Sequence, residues 1–298
     1  MEIAEALEES LLTRNLPLVT EYDIFLTLCH LYHSKSFDGQ PIQVDRPYPD
    51  RQAVLRACSP LLENRFIAKD KNFHRTYRIR AIGPRPYPEE IACYIDPFCY
   101  VSHLSAMESY GLTDRSPHPL ILTTPNQTLW PILRQKKMDQ DYRQFPVPAQ
   151  ERTPLERVQI PTIHTRPIRQ IRVKELGRFL EQQEIPIREA PTRLATIGQT
   201  FLDMLLHPNL CGGMMHVVDV WEEHAEISVK EIIAAVDSTQ KNLTKIRAGY
   251  LLDEVLGLSH PVLDTWRELA QSGGSRKLDP SHGYVNRHSE NWMISINC

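Results

Sequence analysis

The sequence predicts an α+β chain. An N-terminal winged helix-turn-helix is expected over residues 1–85. A larger mixed α/β domain is expected over 86–298, with a central sheet and a helical C-terminal half. Three observations predict this. Apolar residues recur at helical steps early in the chain and again after residue 196. Short extended segments collect in the middle. Charge is segregated: residues 46–85 hold ten basic and three acidic side chains in a chain whose net charge is −3.

The elements follow in order. Residues 2–13 and 21–33 read as helices; in the second, Ile24, Phe25, Leu28 and Leu31 fall at three- and four-residue steps. A short strand is expected at PIQV, 41–44. Asp50 is placed to cap a helix starting at Arg51, with Val54, Leu55, Cys58, Leu61 and Leu62 inward and Arg51, Gln52, Arg56 and Glu63 outward. Pro60 falls inside that helix, where an interior proline costs about 3 kcal/mol. A kinked single helix is preferred to a pair split at Ser59-Pro60. RFIAKD and HRTYRIRAI read as two strands around a charged turn.

IGPRPYPEE, 82–90, reads as a linker. Ser102 is placed to cap a helix from His103 to Tyr110, which Gly111 ends. PLILTT is a strand, and PNQTLWPILRQKKMDQDYRQF a loop with a short helix. VQIPTIHT, RQIRV and IPIREA are extended, and VKELGRFLEQQ between the last two reads as a helix. The rest is helical (GQTFLDMLLHP, MMHVVDVWEEHA, SVKEIIAAV, KNLTKIRAGYLLDEVLG and HPVLDTWRELAQ) until GYVNRHSENWMISIN, which reads as one or two strands.

Composition excludes several classes. The 298 residues are 41% hydrophobic and 24% charged, ordinary for a soluble globular protein of two domains. Six cysteines lie scattered without a CxxC pair, which argues against a zinc ribbon or disulfide framework and fits a reducing cytoplasm. No run of about 18 apolar residues is present, so no membrane span is expected. The acidic start MEIAEALEES is neither a secretory nor a mitochondrial signal.

Three strings carry a resemblance. YVSHLSAMESYGLTDR runs an aromatic and a Ser/His turn into Ser-Ala and ends in Gly-Leu. RLATIGQTFLDMLLHPNLCGG follows, then IRAGYLLDEVLGL, with an Arg, a Gly-Tyr and a Leu-Leu. In this order and spacing they resemble the AbiEi family of antitoxin-repressors from type IV toxin–antitoxin systems, over roughly residues 20–298. The resemblance implies a winged helix that binds inverted repeats in the operon's own promoter, as a dimer or as two cooperating monomers. It also implies a C-terminal domain that counteracts a nucleotidyltransferase-like toxin without a stable complex. It implies no catalysis.

The expected DNA-reading residues are Arg51, Gln52 and Arg56 on the basic helix, since Arg and Gln read base edges in the major groove. Arg65, Lys69, Lys71, Arg75 and Arg78 are the expected phosphate contacts. A second basic island, Arg166, Arg169, Arg172, Lys174 and Arg178, is a candidate antitoxin or nucleic-acid surface; salt bridges with Glu175 and Glu181 are its plain alternative. No cofactor and no metal are expected. His216, Asp219 and Glu223 share a helix side, yet the stripe reads as an exposed acidic face. Ser102, His103 and Ser105 read as architecture and not as a nucleophile and base. The alternative function is a nucleic-acid-directed nuclease or nucleotide-modifying enzyme using Asp203, Glu222 and Glu223. A global regulator with no toxin is the third reading.

Overall fold

In a computed structural model the chain is described over residues 1–71, 73–83, 87–115, 119–158, 171–176, 182–187, 190–270 and 276–298; residues 171–176, 182–187 and 190–191 are described by backbone alone. Helices and small sheets mix along it, an α+β chain. The order is α1 (Ile3–Arg14), β1 (Leu18–Thr20), α2 (Glu21–Ser34), β2 (Ser36–Phe37), β3 (Gln40–Pro41), α3 (Ala53–Glu63), β4 (Ile67–Lys69) and β5 (Thr76–Ile79). Then come α4 (Pro88–Ile95), β6 (Tyr100–Val101), α5 (His103–Ser109), β7 (Leu120–Pro125), α6 (Leu129–Asp141), β8 (Ile171–Leu176), β9 (Gln182–Ile187) and β10 (Ala190–Ala195). Helices close the chain: α7 (Ile197–Leu206), α8 (Met214–His224), α9 (Val229–Asp237), α10 (Asn242–Tyr250) and α11 (Pro261–Arg267), then the strands β11 (His288–Ser289) and β12 (Ile294–Ser295). A five-stranded sheet has the order β8-β7-β6-β10-β9.

Contacts divide the chain into two compact units. The first is Met1–Tyr100, Thr123–Leu180 and Glu184–Thr192; the second is Val101–Leu122, Glu181–Gln183 and Arg193–Cys298. The first unit thus reaches well beyond residue 85. The physical reason is its core: Leu7, Leu11, Phe25, Leu28, Leu61 and Ile67 share one buried cluster with Trp130, Tyr142, Phe145 and Leu155. Tyr142 meets Tyr22 and Phe25 edge-on, at centroid distances of 5.9 and 6.0 Å. Each such side chain contributes roughly 1.5–3 kcal/mol by burial.

Thr20 caps α2, its hydroxyl accepting from the Asp23 amide at 3.1 Å. The expected strand at 41–44 shrinks to Pro41 at the end of the β2–β3 hairpin, which turns through Asp38 (φ 45°) and Gly39 (φ 75°). The basic helix begins at Ala53 rather than Arg51. Asp50 still serves its start: Oδ1 accepts from the Gln52 amide at 3.1 Å. The helix runs unbroken through Pro60. Pro60 lies one turn from its end, with a proline-sized gap in a single hydrogen bond. Ala53, Val54, Ala57, Cys58 and Leu61 form the buried stripe, whereas Leu55, expected inward, is 62% exposed. Beside these helices β1, β5 and β4 form an antiparallel sheet in that order, with Leu18 opposite Arg78 and Ile67 opposite Ile79.

Two expectations further along are corrected. The linker at 82–90 ends early, because Pro88 starts α4 and Glu90 closes its first turn by accepting from the Tyr87 amide at 2.6 Å. Of the helix expected at VKELGRFLEQQ, the described ends are strand: Val173–Leu176 lie in β8 and Gln182–Gln183 in β9, while 177–181 fall outside the described residues. Sheet pairing overrides the helix preference of Glu, Leu and Gln. The short helix expected in the loop after β7 is α6, thirteen residues long.

Glu90 gives a pH prediction. Burial, then the neighbouring Glu89 charge, push its carboxyl up to about 7. The Tyr87 amide favours the charged form and limits that rise. A folded-state value above the unfolded one means that the folded chain holds an extra proton. The stability this adds is full below about pH 4 and is lost as pH rises through 7. Urea unfolding should therefore show the wild type losing about 1–3 kcal/mol between pH 5 and pH 8. Glu90→Gln should flatten that slope, and an unchanged slope would place its cause elsewhere.

The second unit packs α7 against α9 so closely that a Cβ on Gly198 would lie 2.2 Å from the Glu231 carbonyl oxygen. Phe201, Leu202, Trp221, Ile232, Leu251, Trp266 and Trp292 are its buried centre, joined by Met107 of α5 and Leu112 after it. Arg247 is 7% exposed and donates to the Leu205 carbonyl at 3.2 Å and, through Nε and Nη2, to the Lys277 carbonyl at 3.1 and 2.9 Å. It ties the end of α7 and the segment at Lys277 to α10. Five of the six cysteines are buried. Among the described residues no helix is long and apolar enough to cross a membrane.

Candidate functional site

The basic residues near the amino end divide into two groups. Arg51, Gln52, Arg65, Lys69 and Lys71 are exposed, and no salt bridge joins these four cations to an acid among the described residues. Arg51 and Gln52 sit just before α3, Arg65 just after it, Lys69 at the end of β4 and Lys71 in the turn toward β5. Arg80, exposed after β5, adds a cation that the sequence reading left out; its amide donates to the Phe66 carbonyl, which holds it beside Arg65.

The other three expected contacts are engaged. Arg56 donates to Asp50 Oδ1 at 2.7 Å, and Arg46 reaches Oδ2 of the same carboxylate at 2.8 Å. Burial works against the Asp50 charge, but the hydrogen bond and charge of Arg56 and the charge of Arg46 outweigh it and hold its pKa below the ordinary value. Arg75 lies between Glu21 at 3.4 Å and Glu156 at 2.9 Å. Arg78 pairs with Asp70, whose side chain is fully buried. An interior carboxylate requires such a partner. These three arginines are held by acids of the fold, yet the side chains of Arg56 and Arg75 stay 56% and 38% exposed, and only Arg78 is mostly covered.

Arg65 also has a structural task. Its backbone is left-handed (φ 63°), and its amide closes the end of α3 on the Leu62 carbonyl at 3.2 Å. Of the second island, Arg172 and Lys174 lie in β8, described by backbone alone, while Arg166, Arg169 and Arg178 fall outside the described residues.

A second constellation lies in the second unit, around the string HLSAMESYGLTDR. Its helix α5 is architectural over most of its length. Ser105 is 2% exposed and its Oγ accepts from the Ile121 amide of β7 at 2.9 Å; Ala106 is wholly buried; Gly111 turns the chain at φ 67°. The exception is its first residue. Ser102 does not cap the helix with its side chain; its Oγ lies 2.9 Å from His103 Nδ1. His103 is 1% exposed with a left-handed backbone, φ 54°. Its Nε2 lies 3.4 Å from Nδ1 of His207 at the end of α7. Asp203, one turn before His207, is 3% exposed, and its Oδ1 accepts from Gln199 Nε2 at 2.6 Å.

One donor atom each from His103, Asp203 and His207 lie within 4.8 Å of one another. Sequence reading missed this group, because 100 residues of chain separate His103 from its partners. The available signal was the i, i+4 spacing of Asp203 and His207 on an apolar helix. By contrast, His216 shares its Nε2 with Thr113 Oγ1 at 3.0 Å and forms no such group with Asp219 and Glu223 among the described residues. Glu222 and Glu223 are exposed on α8, apart from the buried Asp203, so the three acids of the enzyme alternative are not assembled into one site.

No protein family matches the chain, and no curated relative does. Among solved structures it is similar to the crystal structure of the RV2827C protein from Mycobacterium tuberculosis, with 11% identity over 98% of this chain and 90% of that one and a TM-score of 0.48. A likeness that distant carries no functional argument.

Proposed function

We propose that the protein is a DNA-binding autorepressor and antitoxin of the AbiEi kind, with a winged helix in its first unit. One observation carries the DNA half: α3 lies between α2 and the β4–β5 hairpin of a β1-β5-β4 sheet, with unpaired cations before it, after it and in the hairpin. In a winged helix that order sets one helix in the major groove and the hairpin beside it. Arg51 and Gln52, at the start of α3, are the base-edge candidates; Arg65, Lys69, Lys71 and Arg80 are the phosphate candidates. The antitoxin half rests on the resemblance of the three strings in the second unit, and the partner it implies is a nucleotidyltransferase-like toxin.

Titration of the purified chain onto a duplex from upstream of its own gene tests the DNA half. Affinity should fall steeply with salt, since each neutralised phosphate contributes about 0.9 to the slope of log K against log salt. The triple variant Lys69→Ala, Lys71→Ala, Arg80→Ala should lower that slope by about 3. Arg56→Ala should leave it nearly unchanged, because Asp50 already holds that guanidinium. A triple variant with the wild-type slope would remove the proposed surface. Coexpression with the product of the adjacent reading frame tests the antitoxin half: growth restored by the full chain supports it, and no rescue refutes it.

A further inference from the structure

We infer that His103, Asp203 and His207 form a binding site for a divalent transition-metal cation of the zinc class. The inference is independent of the DNA reading. The donor set is two imidazoles and one carboxylate, which is the ligand chemistry that Zn2+ takes with three protein groups. The spacing fits as well. Two nitrogens each about 2.0–2.1 Å from a tetrahedral Zn2+ stand about 3.3–3.4 Å apart. His103 Nε2 and His207 Nδ1 are 3.4 Å apart. That distance is long for a hydrogen bond, for which about 2.7–3.2 Å is usual, and suits the edge of a coordination shell.

The outer partners are those that a metal ligand needs. Ser102 Oγ lies 2.9 Å from His103 Nδ1, and in the tautomer protonated at Nδ1 it accepts that N–H, while Nε2, on the side of His207, is the nitrogen that ligates. Gln199 Nε2, at 2.6 Å from Asp203 Oδ1, orients the carboxylate. Asp203 and His207 sit one turn apart on α7, whose core contacts fix them, and the left-handed backbone of His103 brings its ring to them. A cation would draw the three donors inward from their spread of up to 4.8 Å. Three protein ligands are the number that a zinc site with one exchangeable position uses.

The test uses the full chain, stripped with a chelator and dialysed against Zn2+ in a weakly competing buffer. The metal content should be one equivalent per chain, and thermal unfolding should shift upward with free Zn2+. Co2+ in its place should give the intense visible bands of a four-coordinate ion, without the thiolate charge-transfer band that a cysteine ligand adds. The double variant His103→Gln, His207→Gln should hold no equivalent and lose the Zn2+-dependent shift, whereas His216→Gln should keep both. Gln199→Ala should weaken binding about 10- to 100-fold. A wild-type chain that retains no stoichiometric Zn2+ overturns the inference, as does a double variant that retains it. Should the double variant fail to fold, the Co2+ spectrum of the wild type decides: six-coordinate bands or a thiolate band overturn the site.

Discussion

Gly249→Ala should destabilise the second unit by about 3 kcal/mol or more, against the usual sign for this exchange in a helix. Alanine is the better helix former by about 1 kcal/mol, so propensity alone predicts a gain. Packing reverses it. A Cβ at position 249 would lie 2.1 Å from both Cη2 and Cζ3 of Trp292. Trp292 has nowhere to go. It is fully buried, its Nε1 donates to Asp253 Oδ2 at 2.9 Å, and the Arg267 guanidinium lies 5.3 Å from its ring centre. Arg267 is itself bound to that Asp253 oxygen at 2.9 Å. Overpacking a filled core costs about 1–3 kcal/mol. Displacing the indole forfeits up to about 4–6 kcal/mol more, from roughly 150–250 Å² of surface. Thermal unfolding followed by tryptophan fluorescence reads the result. At about 2–4 °C per kcal/mol, the transition should drop by roughly 6 °C or more. A neutral or stabilising Gly249→Ala would show that Trp292 is free to shift.

The same contact explains a piece of the sequence that resembled a family string. In IRAGYLLDEVLGL, Arg247 binds the carbonyls of Leu205 and Lys277, Gly249 makes room for Trp292, and Leu251 and Leu252 are fully buried. In RLATIGQTFLDMLLHP, Gly198 admits the Glu231 carbonyl and Gln199 holds Asp203. These residues are spaced by the packing of α7, α9 and α10. The strings therefore record how the second unit is built, and any antitoxin role must work from that scaffold.

What could be read from the chain follows from how each element is held. The helices α2, α7, α8 and α9 carry apolar stripes, and such stripes show in a sequence. The helix α6 does not, since Trp130 is the sole residue buried along it. Its remaining twelve positions face outward or partly so, and a polar run reads as a loop with only a short helix in it. The strands β8 and β9 were half legible: RQIRV and IPIREA read as extended, whereas Lys174–Leu176 and Gln182–Gln183 favour helix, and only neighbouring strands make them extended. The cationic surface was half readable. Counting charges found the basic island but not the ion pairs within it, because Glu21 and Glu156 reach Arg75 from far along the chain. The His103–Asp203–His207 group lay beyond reach for the same reason: only the fold brings α5 to the end of α7.

Asp96→Ala should cost the first unit about 4–6 kcal/mol, a large share of the roughly 5–15 kcal/mol that holds an ordinary domain folded. Asp96 ends α4 and is wholly buried. Trp130 Nε1 donates to both its oxygens at 3.1 Å, the Phe98 amide to Oδ1 at 3.0 Å, and the Val158 amide and the Thr124 hydroxyl to Oδ2 at 3.2 and 3.3 Å. One carboxylate thus joins the turn after α4, strand β7, helix α6 and the segment at Val158. Alanine would leave an indole N–H and two amides without their acceptor in the interior, at about 1–3 kcal/mol each. It would also loosen Trp130, which packs edge-on against Phe98 at 6.1 Å. Asp96→Asn separates charge from shape. It keeps the volume and one acceptor but turns an N–H2 toward donors, so its loss should be smaller yet still above 2 kcal/mol or so. Urea unfolding gives the magnitude, and hydrogen exchange at the Phe98 and Val158 amides gives the place. If Asp96→Ala unfolds within about 1 kcal/mol of the wild type and those amides stay protected, the carboxylate does not hold this unit together.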